Sequence, residues 1–233
     1  MRVEFFVLKP GENAVRIIII WISCFFLLSA CAFTDVTIDT PASSLENKVS
    51  GGNGRELVVL FPFADQRPNR ARCGMQKNGY NMDTASALCQ MEPSEWLSRK
   101  LIEELKASGF KVNTDRGPSK PSSVKIEGSL VQFFIEPVIG FWTITLETDI
   151  HIKLKATTAN GLYADRSFYV KGNNTAMTGM ASNFQPSVDE ATNKVLKEMV
   201  SAILSLMNRY PELGFNYSSY LIPFAVEIVE KTS

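Results

Sequence analysis

Residues 143–157, TITLETDIHIKLKAT, decide the fold. In an extended chain Ile144, Leu146, Ile150, Ile152, Leu154 and Ala156 fall on one side, and Glu147, Asp149, His151, Lys153 and Lys155 on the other. Side chains of a strand alternate between faces, so this spacing predicts a long strand in a sheet with one face on the core and one in water. One wet face is the mark of an antiparallel-rich sheet. The neighbouring segments agree. Asn160-Gly161 supplies a hairpin turn of the kind that needs positive φ, and Leu162–Lys171 returns as the next strand. On the N-terminal side, Val124–Ile135 is a long strand whose apolar phase shifts between Leu130 and Val131, which predicts a bulge or a change of buried face.

Working outward, Glu56–Ala64 (ELVVLFPFA) is a nearly continuous apolar run bounded by polar turns. It predicts a strand buried on both faces, placed centrally in the sheet. Pro93 opens a helix with Leu97, Leu101 and Leu105 at spacing four, and Gly109 is positioned to end it, with Phe110 packing back on Leu105. Phe110–Thr114 follows as a short strand. Pro186 and Ser187 start a second helix with Val188, Ala191, Val195, Met199, Ala202 and Leu206 along one stripe. The expected order is β-α-β-β-β-β-α: an α+β domain over residues 55–209, an antiparallel-rich sheet packed by two helices.

The N-terminal 30 residues have a different character. Arg2, Lys9 and Arg16 precede an apolar run from Ile17 through Leu28, and Ser29 and Ala30 stand directly before Cys31. A charged region, an apolar core and small residues in that order form a secretory signal. The run is shorter than the roughly 20 apolar residues of a spanning helix. Leu28-Ser29-Ala30-Cys31 resembles the lipobox of bacterial lipoproteins, which implies cleavage before Cys31 and lipidation of its thiol and new amino terminus. The competing reading is an uncleaved anchor helix in which Cys31 is a passive thiol. Ala32, rather than an aspartate, follows the cysteine, which points to the outer membrane of a two-membrane cell. Residues 34–54 are polar, with Gly51, Gly52 and Gly54 near the end, and residues 31–54 are expected to form a flexible tether.

Removing residues 1–30 takes away three basic and two acidic residues and leaves 21 basic against 22 acidic. Such a balance gives no field to recruit nucleic acid. Of four cysteines, Cys24 leaves with the signal and Cys31 carries lipid, so Cys73 and Cys89 remain as a pair. In an oxidising compartment that pair is most simply a disulfide closing a loop of about 15 residues, for which chain entropy gives about 3 kcal/mol. A metal site or a redox-active pair competes with it, although no CxxC is present and the single histidine, His151, is distant in sequence.

Taken together, Ala64-Asp65-Gln66-Arg67 at the end of a strand, Gly109-Phe110-Lys111-Val112 at the end of a helix, the meander with Asn160-Gly161 and the closing helix resemble the YajG family of bacterial lipoproteins over roughly residues 57–207. The resemblance implies an envelope lipoprotein domain and transfers no reaction, cofactor or ligand. Two parts depart from the pattern, the Cys73–Cys89 insertion and the aromatic tail at 210–233.

GxxxxGK[ST], GxGxxG, HExxH and GxSxG strings are absent from the sequence, and one histidine leaves little scope for the commonest general base. His151 lies on the polar side of a strand, as an ordinary surface residue does. Met75, Met82 and Met91 around the cysteine loop are read as cover for the core rather than as a soft-metal site. The tail holds Tyr210, Phe215, Tyr217, Tyr220 and Phe224 and is too apolar to stay free in water, so it packs on its own domain or on a partner.

The expected function is a non-catalytic lipoprotein, facing the periplasm, that binds another envelope component: a protein, peptidoglycan or lipid. No metal and no cofactor is expected. The alternative is a periplasmic enzyme with an Asp, Glu, Lys or Tyr site. Candidate contacts are Asp65 and Arg67, after the first apolar strand, and Tyr80 in the crosslinked loop, all expected at one end of the sheet and apart from the His151 face; the plainer reading of Asp65 and Arg67 is that they pair with each other or cap the turn. The loop could equally serve only to cover the core.

Overall fold

The computed structural model describes residues 34–39, 49–114, 124–157, 163–177 and 181–209. Cys31, the Asn160-Gly161 turn and the 210–233 tail lie outside them. The described elements belong to the unit Asp35–Ser233. Nine strands form one sheet: β1 (Val36–Ile38), β2 (Glu56–Val59), β3 (Ala64–Asp65), β4 (Gly74–Lys77), β5 (Asp83–Cys89), β6 (Lys111–Asn113), β7 (Val124–Ile139), β8 (Ile144–Thr157) and β9 (Tyr163–Ala176). Among the described residues two helices, α1 (Pro93–Ala107) and α2 (Phe184–Arg209), complete the fold, with a 3-10 turn at Ala181–Asn183 before α2.

The meander β7-β8-β9 is the antiparallel body foreseen from the period-two pattern. Leu146, Thr148, Ile150, Ile152, Leu154 and Ala156 of β8 are buried, while Lys153 and Lys155 are exposed. The phase shift in β7 is a bulge: Leu130 pairs with Ile152 and Gln132 with His151, leaving Val131 as the extra residue.

Elsewhere the expectation needs correction, because the sheet is mixed and five of its eight strand pairings are parallel. β8 occupies one edge of β7 over its length. Along the opposite edge β2 pairs at Val124–Ile126, β3 at Ser129–Leu130 and β4 at Ile135, all parallel. β6 adds outside β2, and β5 then β1 add outside β4. The run at 56–64 is therefore two strands, separated by a cis Phe61–Pro62 peptide, and β2 has only β6 beyond it. The cysteine loop is itself a hairpin, β4-β5. The tether also contains ordered parts. Val36 and Ile38 are buried in β1, and the Gly52 and Gly54 N–H groups donate to the Ser108 and Gly109 carbonyls at 2.8 and 2.7 Å, closing the end of α1.

Both helices bury an apolar stripe against the sheet. Leu97, Leu101 and Leu105 of α1 are fully buried, and Trp96 meets Phe133 edge-on with ring centroids 5.6 Å apart. The helix stops as its sequence requires. Gly109 takes φ +92°, Phe110 N–H donates to the Leu105 carbonyl at 3.1 Å and Gly109 N–H to Lys106 at 3.0 Å, a Schellman closure. α2 lies on β8 and β9 through Val188, Ala191, Val195 and Met199, all fully buried.

Candidate functional site

The string Ala64-Asp65-Gln66-Arg67 closes onto itself. β3 pairs with β7, and Gln66 N–H donates to the Leu130 carbonyl at 2.8 Å, which ends the strand and turns the chain. The first Asp65 carboxylate oxygen, Oδ1, accepts from the Arg67 backbone N–H at 3.0 Å and from Arg67 Nε at 3.1 Å, and Arg67 Nη2 reaches Oδ2 at 2.9 Å. Nη2 also donates to Glu92, the residue that precedes α1, and Nη1 lies 3.7 Å from Cys73 Sγ. The Cys73–Cys89 disulfide is formed. One guanidinium thus joins the end of β3, the half-cystine before β4 and the start of α1.

That placement favours the plainer reading, in which Arg67 pairs with Asp65, over an exposed contact. The Arg67 side chain is only 2 % exposed, so it faces inward and presents nothing to a partner. Its work is to satisfy charges that the fold buries, and the Asp65 side chain beside it is 10 % exposed. Burial would raise the Asp65 carboxyl, but hydrogen bonds from Arg67 and Glu92 and the Arg67 charge outweigh it and bring the group from 3.8 down to about 2. Glu92 moves the other way, raised by burial and by the Asp65 carboxylate beside it, against the pull of Arg67.

The two shifts have opposite consequences for stability. A lowered carboxyl stabilises fully above its unfolded value, so the Asp65 contribution is lost as pH falls from about 4 towards 2. A raised carboxyl stabilises below its unfolded value, so the Glu92 contribution is lost as pH rises through its folded value. Thermal unfolding between pH 7 and pH 2 should therefore show an acid limb below pH 4 that Asp65→Asn flattens; an acid limb unchanged in that variant would refute the assignment.

Tyr80 sits elsewhere. It is 86 % exposed at the tip of the β4-β5 hairpin, where Asn78 Oδ1 accepts from the backbone N–H groups of Tyr80 at 3.0 Å and Met82 at 3.1 Å. β3 reaches Leu130 of β7, whereas the tip lies beyond Ile135, beside Pro137, Val138 and Ile139. At about 3.3 Å per residue the two candidates are separated by more than about 20 Å along β7 and do not form one surface. An open groove of about 510 Å³ lies beside the tip, lined by Lys77, Tyr80, Glu136 and Val138. Two exposed neighbours were not anticipated, Phe141 and Trp142 in the β7-β8 turn. The signal for them is a pair of adjacent aromatics between Gly140 and Thr143, outside any alternating pattern.

The wet face carries an ionic lattice. Tyr169 donates to Asp149 at 3.0 Å, Lys171 reaches Glu147 at 3.1 Å and Asp149 at 3.2 Å, and His151 Nε2 lies 2.6 Å from Ser167 Oγ. Burial and the Asp149 partner raise the Tyr169 phenol, and hydrogen bonds to Glu147 and Asp149 raise Lys171. Both shifts hold the groups protonated, the reverse of what a nucleophile or general base requires. Among the described residues no group of three or more His, Cys, Asp and Glu side chains is arranged to hold a metal. An apolar depression between α2 and β8-β9, lined by Ile126, Leu154, Phe168 and Ile203, has about 30 Å³, room for a water rather than an organic ligand. No helix among the described residues is long and apolar enough to cross a membrane.

Protein XCC0632 from Xanthomonas campestris superposes with a TM-score of 0.53 at 11 % identity, covering 73 % of this chain and 97 % of that one, which is a likeness of fold alone. The hypothetical protein CT253 from Chlamydia trachomatis covers 65 % of this chain and 97 % of its own at 7 % identity and a TM-score of 0.39. Lipoprotein GNA1162 from Neisseria meningitidis covers 67 % and 99 % at 11 % identity and a TM-score of 0.23. No curated protein matches the sequence. Residues 64–205, from the first residue of β3 into the last turns of α2, match the model of a family described as uncharacterized lipoprotein, the YajG-like lipoproteins, and the chain belongs to that family.

Proposed function

We propose that the chain is lipidated on Cys31, anchored in the outer membrane facing the periplasm, and that its domain binds another envelope component without catalysing a reaction. The observation that carries the anchor is Leu28-Ser29-Ala30-Cys31 standing five residues before the first strand of a domain whose family is lipoprotein. Several acyl chains at about 0.8 kcal/mol per buried CH₂ hold a protein stably, where one chain alone is marginal. The non-catalytic reading is supported by Tyr169 and Lys171 being held protonated and by Arg67 being committed to Asp65 and Glu92. Tyr80 remains as a contact candidate, and a protein, cell-wall or lipid component of the envelope is the expected ligand class.

Replacing Cys31 with serine removes the thiol that would carry the lipid. Membrane fractionation should then find the protein in the soluble fraction after a high-salt wash, while the parent stays in the outer-membrane pellet. Retention of Cys31→Ser in the pellet would overturn the anchor, and recovery of the parent with inner membranes would overturn the destination.

A further inference from the structure

Six of the seven large hydrophobic side chains exposed among the described residues gather at one end of the sheet. Tyr80 and Met82 occupy the β4-β5 turn, Val138 the end of β7, Phe141 and Trp142 the β7-β8 turn, and Met177 follows β9. Pairing puts them together, because β4 runs parallel to β7 from Gly74 opposite Ile135, and Ile144 pairs with Ala176. Phe141, Trp142 and Met177 are 88, 79 and 84 % exposed. The turn is ordered, with Gly140 N–H donating to the Thr143 carbonyl at 2.8 Å and the two rings packed edge to face at 4.7 Å. Residues 78–82, 138–146 and 173–177 contain no Asp, Glu, Lys or Arg. Of the charges bordering it, Lys77 pairs with Glu136, Arg72 with Asp83 and Lys171 with Glu147 and Asp149, while Asp35 accepts from the Ser86 N–H.

Strand direction connects this end to the anchor. β5 runs antiparallel to β4, away from the tips, and β1 runs parallel to β5, with Val36 opposite Ala87. The N-terminal end of β1 therefore points toward the aromatic end. Val36 is level with Ile135, because Ala87 pairs with Gly74 and Gly74 with Ile135. From that level to the Phe141-Trp142 turn is about 15–20 Å at about 3.3 Å per residue. Five peptide steps from Cys31 to Val36 span at most about 17 Å. An anchor at Cys31 thus leaves the domain little more than this distance from the bilayer, and the end within reach is the uncharged aromatic one. Aromatic rings are favoured at the boundary of headgroups and acyl chains.

Building on the anchor proposed above, we infer that this end of the sheet docks on the phospholipid bilayer that holds Cys31, with Phe141 and Trp142 entering the headgroup–acyl boundary and Tyr80 and Met177 flanking them. The docked end fixes the direction of the domain. β7 stands away from the surface, and α2 ends on the far side, near Ile126, Leu154 and Phe168.

The chain provides its own reporter, because beyond Cys31 it has only Trp96, buried where α1 packs on the sheet, and Trp142. The lipidated full-length mature protein is reconstituted into phosphatidylcholine–phosphatidylglycerol vesicles with plain or brominated acyl chains. Brominated lipid should quench most of the Trp142 emission, and Trp142→Phe should leave only the unquenched Trp96 signal. In that background Tyr80→Trp should restore quenching, whereas Tyr169→Trp on the wet face should not. Protein that floats with the vesicles while Trp142 stays unquenched overturns the docking and leaves the anchor standing. Shielding of Trp142 from aqueous acrylamide without quenching by brominated lipid also overturns it, in favour of a protein surface covering the tip. Failure to float overturns the anchor, and the docking with it.

Discussion

Arg67→Met should destabilise the domain by about 3–5 kcal/mol, the cost of removing one partner of a buried ion pair. Methionine keeps much of the aliphatic volume, so lost packing is the smaller part. What remains is the Asp65 carboxylate, largely buried and deprived of the Arg67 hydrogen bonds and charge that held it ionised against the effect of burial. Arg70 is 3.8 Å from Asp65 but its side chain is 63 % exposed, and a solvated ion pair contributes less than about 1 kcal/mol. Equilibrium unfolding in urea under oxidising conditions measures the loss. The double variant Asp65→Asn, Arg67→Met removes both charges and should recover most of the stability, because the penalty belongs to the orphaned carboxylate. Breaking the exposed Arg99–Glu95 pair of α1 should change stability by at most about 0.5 kcal/mol. A loss for Arg67→Met no larger than for that surface pair would show that the buried cluster is not holding β3 to α1.

The same residue shows where the sequence stops being readable. Asp65-Gln66-Arg67 was recognisable as a sharp local string, but whether an arginine after a strand turns outward or inward depends on Glu92 and Cys73, which approach through the disulfide and the start of α1. Features written in adjacent residues were legible: the two faces of β8, the bulge at Val131 and the Schellman stop at Gly109. Those written in distant pairings were not. β2, β3 and β4 align on one edge of β7 because β8 occupies the other; the continuous apolar run of Glu56–Ala64 suits a parallel strand, but it does not name the neighbour or the break into two strands. β1 is too short to stand out from the polar stretch around it, since it offers only two apolar residues, Val36 and Ile38. The strands of the cysteine hairpin carry Gln76, Lys77, Thr84 and Ser86 and are half-buried, so they give no alternation to detect. For the candidate site the consequence is that the register of β7 separates Asp65 and Arg67 from Tyr80, which chain order alone puts at one end of the sheet.

Gly172→Ala should cost about 3 kcal/mol or more, at the upper end of what overpacking a core exacts. A glycine followed by Asn173 and Asn174 reads as a strand terminator, so the sequence places the end of this strand at Lys171. β9 instead continues to Ala176, because Gly172 is where α2 crosses the sheet. A Cβ there would lie 2.1 Å from the Ser187 carbonyl oxygen and 2.5 Å from the Ala191 nitrogen, both backbone atoms of α2. The partner of Gly172 across the ladder is Thr148, whose hydroxyl lies 2.7 Å from that of Ser187, while Ser187 also donates to the Phe184 carbonyl at 2.8 Å. The helix cannot retreat from a new methyl group without breaking this buried hydroxyl pair, and a buried hydroxyl left without a partner costs about 1–3 kcal/mol. Gly79 in the β4-β5 turn is the control, since a Cβ there meets nothing within 4 Å. Calorimetric melting of the two alanine variants should therefore separate them widely, with Gly79→Ala within about 0.5 kcal/mol of the parent. Equal melting temperatures for the parent and Gly172→Ala would mean that α2 does not bear on the sheet at this rung.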